Sequence, residues 1–373
     1  MPEPLKNSFG RDIPTWIADR VKAAHPVFDA DTFLCEVSDG YDDLELTPRG
    51  WRIAHCLHRH LPAEYPEAVE ILLASLGPEI TDTKLTGMES FRYLPHVLFV
   101  AEYGINHFEL SMQAQYALTQ CFTAEFSIRA FIKKYPKQTL ARLRQWAGDD
   151  NVHVRRLVSE GTRPRLPWAS RLALFQYDPG PVLELLELLK DDPELYVRRS
   201  VANNLNDIGK DNPDRLFATA ARWSEGASDE RQWLIRHALR SAVKRGETGA
   251  LAVLGFSAQP KVEIRQIEIN PHRVCIGENV RLAFDLVSSS AKPQRLQVDF
   301  QIHYVKANGA TRAKVFKLRS LDFAPGQTVR LQKQVSCREM STRRHYPGKH
   351  RIDLLINGQI FSLGAFDLVP AKQ

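Results

Sequence analysis

Up to about Gly255 the apolar residues recur three and four apart, interrupted by Gly or Pro every 12 to 20 residues, as in PEAVEILLASLGP (66–78), HFELSMQAQYALTQ (107–120) and PVLELLELLKDDP (181–193). That period places one apolar stripe on each segment and predicts a succession of amphipathic helices. Past Pro260 the period falls to two. KVEIRQIEI, VRLAFDLVS, RLQVDFQIHYV, VRLQKQVS, HRIDLLING and IFSLGAFDLV alternate apolar with polar positions between turn-forming stretches, which predicts at least six short strands. So many strands in so short a stretch point to a β-sandwich, immunoglobulin-like by default, although no buried cysteine pair is evident. The chain therefore reads as mainly α: a helical domain over residues 1–257 and an all-β sandwich over residues 260–373. Two domains also suit a length of 373 residues.

The helical part carries a weak internal repeat. HVRRLVSEG (153–161), YVRRSVANNL (196–205) and LIRHALRSA (234–242) align Arg155, Arg198 and Arg236 at separations of 43 and 38 residues. This is the period of HEAT-like helix pairs, in which a helix such as PKQTLARLRQWAG (136–148) or NPDRLFATAARWSEG (212–226) lies beside each VRR-type helix. Stacked pairs form a solenoid and bring together residues some 40 positions apart.

Charge divides where the periodicity does. Residues 260–373 hold 19 Lys and Arg against 9 Asp and Glu, whereas residues 1–259 hold 31 against 35, so the overall +6 conceals a strongly basic sandwich. Such a module suits a polyanion, most commonly a phosphate backbone; a merely basic surface without a ligand is the alternative. Five cysteines without paired spacing fit a reducing compartment, and no apolar run approaches the ~18 residues of a membrane span. The start, MPEPLKNSFGRDIP, lacks the apolar core of a signal peptide, so a cytoplasmic, nucleoid-associated protein without membrane contact is expected. HCLHRH offers His55, Cys56, His58 and His60, but no second ligand group at a recognisable spacing follows, and no metal is expected. Neither GxGxxG, a phosphate loop nor a nucleophile elbow occurs, so no cofactor is expected either.

The stretch DDNVHVRRLVSEGTRPRLPW (149–168) stands out. Glu160 follows Arg156 by four residues, for which a surface ion pair is the ordinary explanation. Yet Gly161, Pro164 and Pro167 predict a helix stop there, which brings a carboxylate, two guanidinium groups (Arg163, Arg165) and the ring of Trp168 close together. Taken alone, Trp168 would more often be core packing.

SEGTRPRLPW, VRRSVANNLNDIGKDNPD (197–214), EFSIRAFIKKYP (125–136) and STRRHYPGKHRIDLLING together resemble the bacterial AlkC-type alkylpurine DNA glycosylases, part of a HEAT-like-repeat superfamily that includes the AlkD branch. The resemblance covers nearly the whole chain, including an appended immunoglobulin-like domain. It implies a monofunctional, monomeric DNA glycosylase that hydrolyses the N-glycosidic bond of cationic N3-alkylated bases in double-stranded DNA without base flipping. The substrate implied is chiefly 3-methyladenine, with 3-methylcytosine left open. It assigns Glu125, Glu160 and Asp207 to a carboxylate cluster and Trp168 to cation–π contact. Singly, Asp207 could be a helix-end residue and Glu125 a cap for a helix begun at Thr123. Phosphate donors would flank the acids: Arg163 and Arg165 at the loop, Arg236, Arg240 and Lys244 on one helix, and Arg338, Arg343, Arg344 and Lys349 in the basic loop REMSTRRHYPGKHR (338–351). A solvated helix face accounts for the ridge equally well. The competing function is a non-enzymatic HEAT-repeat scaffold that grips nucleic acid or protein.

Overall fold

The computed structural model describes residues 5–83, 89–257, 259–339 and 344–371. Its α-helices are α1 (Asp12–Ala24), α2 (Ala30–Ser38), α3 (Leu46–His60), α4 (Tyr65–Ala74), α5 (Leu94–Tyr103), α6 (Phe108–Cys121), α7 (Ile128–Lys134), α8 (Pro136–Trp146), α9 (Val152–Gly161), α10 (Ala173–Tyr177), α11 (Gly180–Leu189), α12 (Leu195–Ile208), α13 (Pro213–Ser224), α14 (Asp229–Arg245) and α15 (Thr248–Val253). Eight strands follow: β1 (Val262–Asn270), β2 (Arg273–Cys275), β3 (Asn279–Ser288), β4 (Gln294–Val305), β5 (Thr311–Phe323), β6 (Thr328–Ser336), β7 (Gly348–Ile356) and β8 (Gln359–Val369). The fold is mainly α, with HEAT-like helical repeats followed by an immunoglobulin-like all-β region.

One compact unit contains the described residues up to Asn212 together with Ala227–Ala238. Within it α9 packs on α6 and α12, and α11 packs on both α9 and α12. Local sequence sets α9 up for this. The Asn151 side chain caps it by accepting from the His153 and Val154 amides, and Val154, Leu157 and Val158 form the fully buried stripe. On α12, Val197, Val201 and Leu205 do the same. Between the two helices runs a polar ladder: Ser200 Oγ lies in hydrogen-bond contact with Ser159 Oγ at 3.0 Å, and Asn204 Nδ2 donates to the Ser159 carbonyl at 2.7 Å. Two of the three repeated arginines, Arg155 and Arg198, hold the turns that precede their own helices. Arg155 donates to the carbonyls of Asp149 and Asp150 and pairs with Asp192, while Arg198 donates to the carbonyls of Asp192 and Pro193.

The other unit contains Pro213–Gly226 and Leu239 onward. Its strands form a three-stranded sheet, β1-β3-β6, and a five-stranded sheet, β2-β8-β7-β4-β5, antiparallel except where β2 pairs with β8. Leu296, Val298, Phe300 and Ile302 alternate along β4 into a core shared with Phe284 and Phe366. The change from helix to strand falls between Val253 and Val262, but compactness groups α13, the end of α14 and α15 with the strands. The contacts explain why: Ser257 N donates to the Arg295 carbonyl at 3.1 Å, Asn357 Nδ2 donates to the Ser257 carbonyl at 2.8 Å, and a Cβ on Gly246 would meet Gly358 at 2.5 Å.

Candidate active site

Glu160 lies on the last turn of α9, on the side facing α12, and is only 6% exposed. Its Oε1 accepts from Arg163 Nη1 at 2.7 Å and lies 3.6 Å from Arg156 Nη2; its Oε2 accepts from Ser200 Oγ at 2.5 Å. Burial pushes its carboxyl up, but Arg156 and Arg163 overcome that and hold it below the usual carboxylate range. Gly161 ends the helix for a reason other than backbone freedom. A Cβ there would meet Ile128 Cγ2 at 2.5 Å, so glycine permits the close approach of α9 to α7.

Glu125 sits in the turn before α7 and caps no helix; α7 starts three residues later. Its Oε2 accepts from Thr123 Oγ1 at 2.9 Å and Arg156 Nη1 at 3.0 Å. Its Oε1 has no hydrogen-bond partner among the described residues. The Arg156 guanidinium lies 5.1 Å from the Tyr196 ring centre, a cation–π seat supplied by α12.

Arg163 and Asp207 require a correction. Arg163, expected to hold phosphate, has both edges of its guanidinium on carboxylates, with Nη1 on Glu160 and Nε and Nη2 each 2.8 Å from Asp207 Oδ2. Asp207 is 2% exposed, and its Oδ1 accepts from Lys210 Nζ at 2.7 Å. Asp207 therefore acts on Glu160 through Arg163, one layer behind the surface. Arg165 is engaged along one edge, with Nε at 2.8 Å and Nη2 at 2.5 Å from Asp211, and its Nη1 has no partner among the described residues. A guanidinium engaged along two edges, as that of Arg163 is, has few donors left for phosphate.

Trp168 is 64% exposed and its backbone lies in the left-handed region, φ +61°, which a bulky residue adopts only when its surroundings enforce it. The enforcing group is Arg129, a buried side chain on α7 unanticipated from sequence. Its Nη1 donates to the carbonyls of Gly161 (3.1 Å) and Arg163 (2.7 Å), and its Nη2 to that of Ser170 (2.6 Å). Burial pushes its guanidinium down to about 10. Leu172 N closes the loop onto the Pro164 carbonyl, and Lys133 Nζ ties down Ser170 Oγ. The Trp168 ring meets Phe91 edge-on at 6.3 Å.

These parts surround a cleft of about 290 Å³ whose lining includes Phe91, Glu125, Arg156, Glu160, Pro167 and Trp168. A carboxylate with an uncommitted oxygen, a second ionised carboxylate and a fixed aromatic face thus converge on one cavity. The three acids Glu125, Glu160 and Asp207 are met by Arg156, Arg163 and Lys210, with Arg129 as a further cation nearby. Among the described residues no lysine lines this cleft.

The remaining candidates are not among the residues that line the cleft. Arg236, Arg240 and Lys244 are exposed at four-residue spacing on α14, and Arg338, Arg344 and Lys349 are exposed at the end of β6 and the start of β7. Arg343 lies outside the described residues. The HCLHRH side chains each have their own setting: His60 Nε2 is 2.7 Å from Glu36 Oε2, His58 stacks on Tyr103 at 3.7 Å, and His55 lies 5.5 Å from Trp51.

Comparison with known proteins gives two family matches: DNA alkylation repair enzyme over residues 118–245, and the C-terminal Ig-like domain of the uncharacterised protein YhaZ over residues 263–370. The chain is 34% identical over 360 residues to the uncharacterized protein YhaZ of Bacillus subtilis (strain 168), spanning 95% of this chain and 97% of that one. A solved structure, the Pseudomonas fluorescens alkylpurine DNA glycosylase AlkC bound to DNA containing an abasic site analog, matches at a TM-score of 0.89 and 38% identity, covering 98% of this chain and all of the other.

Proposed function

The chain belongs to the DNA alkylation repair enzymes, in the AlkC branch of alkylpurine DNA glycosylases with a C-terminal Ig-like domain, and from that premise we propose that it excises cationic N3-alkylated bases, chiefly 3-methyladenine, from duplex DNA without base flipping. The observation that carries the reading is the cleft in which Glu125, Glu160 and Trp168 meet. An N3-methylated adenine is already cationic in the nucleotide, so its leaving group needs no general acid. The barrier left is the positive charge that grows on the deoxyribose as the bond lengthens, and buried ionised carboxylates stabilise that charge. Glu125 supports the nucleophile, because its Oε1 has room to accept a hydrogen bond from water. Glu160, whose oxygens are already engaged by Arg163 and Ser200, contributes fixed negative charge. In this reading water and not an amine attacks, and an abasic site remains. The test is release of 3-methyladenine from methylated duplex DNA; no release above the spontaneous rate leaves the scaffold reading in its place.

Trp168 supplies the reading of charge. A rigid ring attracts a cation by ~0.5–2 kcal/mol, whereas a neutral base gains only stacking. Trp168→Ala is expected to lose excision of 3-methyladenine, keep binding to undamaged duplex, and keep its melting temperature, because the ring is mostly exposed. A lowered melting temperature with equal losses in both assays would make Trp168 a packing residue.

The basic sandwich supplies phosphate contacts in this reading, through Arg338, Arg344 and Lys349, with Arg236, Arg240 and Lys244 as further donors. Arg344→Glu with Lys349→Glu is expected to weaken DNA binding and flatten its dependence on salt, since fewer counterions are released. An unchanged slope in a binding titration would remove these side chains from the interface.

A further inference from the structure

Three elements that are distant in sequence meet at one guanidinium. Arg156, on α9, donates to Glu125 in the turn before α7, lies 3.6 Å from Glu160 on its own helix, and covers the Tyr196 ring of α12. It also lines the cleft, with 18% of its side chain exposed, yet its short contacts all run to the carboxylates and to Thr123 Oγ1 at 3.5 Å. We infer that Arg156 is a positioning residue for excision: its planar fork holds the Glu125 and Glu160 carboxylates in place beside the reacting sugar. This deepens the proposed function and rests on it.

The arrangement calls for such a group. Two carboxylates sharing a cleft repel, and burial penalises both charges. Glu160 has Arg163 as a second cation, whereas Glu125 has Arg156 as its one ion-pair partner among the described residues, beside the Thr123 hydroxyl and the more distant charge of Arg129. Removing the Arg156 charge would leave Glu125 with no ion-pair partner among the described residues. A guanidinium meets two carboxylates in its plane while presenting its face to an aromatic ring, which a lysine ammonium cannot do. The other titratable or charged groups facing this cluster are Tyr196 and Asp207 from α12, Arg163 from the loop, Arg129 from α7 and His153 from the first turn of α9.

Neutralising the pair also resolves a conflict of charge. A concavity that must admit phosphates while carrying acids would repel its substrate. With Arg156 in place the acids are balanced until a cationic lesion or a developing cationic sugar enters.

The test is single-turnover excision of 3-methyladenine across pH by the wild type, Arg156→Gln and Arg156→Lys, with lesion-DNA affinity measured at fixed salt. In Arg156→Gln burial acts on Glu160 with only Arg163 to oppose it, so Glu160 binds its proton at higher pH. The acid limb of the rate profile is expected to move up by about one pH unit or more. The rate near neutrality is expected to fall about tenfold or more and to recover in part at alkaline pH, with affinity unchanged. Arg156→Lys keeps the cation and loses the fork, so it is expected to keep the acid limb near that of the wild type at a reduced rate. If Arg156→Gln does not fold, Arg156→Lys carries the test, and a wild-type rate there overturns the positioning role. A loss uniform across pH would overturn it in favour of a structural role. Weaker binding with a flatter salt slope would make Arg156 a phosphate ligand instead. Absence of excision by the wild-type protein would bring down the function reading itself, and this inference with it.

Discussion

Glu160→Gln is expected to lower the single-turnover rate of 3-methyladenine excision by about tenfold or more, ~1.4 kcal/mol of barrier, while lesion DNA still binds. The substitution keeps the shape of the side chain and its hydrogen bond with Ser200, and removes only the charge that opposes the cationic sugar. In the proposed reading DNA binding draws on basic groups other than Glu160, so affinity is the control. The melting temperature is expected to fall, because Arg156 and Arg163 lose a shared counter-charge; excision must therefore be measured well below the transition. Asp207→Asn is expected to reduce the rate less, since Asp207 reaches Glu160 only through Arg163 and does not line the cleft. Excision by Glu160→Gln at the wild-type rate would take Glu160 out of the mechanism and leave Glu125 as the carboxylate to examine.

The pairing of Glu160 with α12 was legible in the sequence because stacking follows from period: Arg155 and Arg198 recur 43 residues apart, and helices that repeat at that distance pack side by side. The change from a period of three and four to one of two likewise marked where strands begin. What the sequence could not show was which side of a helix each charged residue turns to when packed. Arg163 and Arg165 look like free donors beside two prolines, yet each finds an acid on or just beyond α12, 44 and 46 residues away. Arg129 reads as one more base in SIRAFIKK, and its function depends on three backbone carbonyls of a loop whose path no local pattern encodes. Gly161 signalled the helix stop, and α9 does end there; what the sequence could not show is that the Ile128 side chain, 33 residues away, excludes a Cβ. The grouping of α13 and α15 with the strands was equally hidden, because it depends on backbone contacts such as that between Ser257 and Arg295.

Arg163→Met is expected to destabilise the protein by ~3–5 kcal/mol at neutral pH, as removal of one partner from a buried ionic group does. Arg163 is 11% exposed at its side chain and neutralises Glu160 and Asp207, themselves 8% and 2% exposed; methionine fills much of the space and leaves two buried carboxylates short of a counter-charge. The pH dependence distinguishes this cause from a simple loss of packing. In the wild type the Glu160 carboxyl is held below its unfolded value, so the stability it contributes is present above the ordinary carboxylate range and is lost as pH falls through the lower folded-state value. In the variant, burial of Glu160 is opposed by Arg156 alone, so its folded-state value rises; the deficit is largest at neutral pH and shrinks as that carboxylate takes up its proton. The two denaturation curves should therefore converge as pH falls below the ordinary carboxylate range. A deficit that stays constant with pH would mean that Arg163 contributes volume and not charge. A small deficit at neutral pH, accompanied by weaker DNA binding and a flatter salt slope, would return Arg163 to the phosphate-contacting role that its place in the sequence suggests.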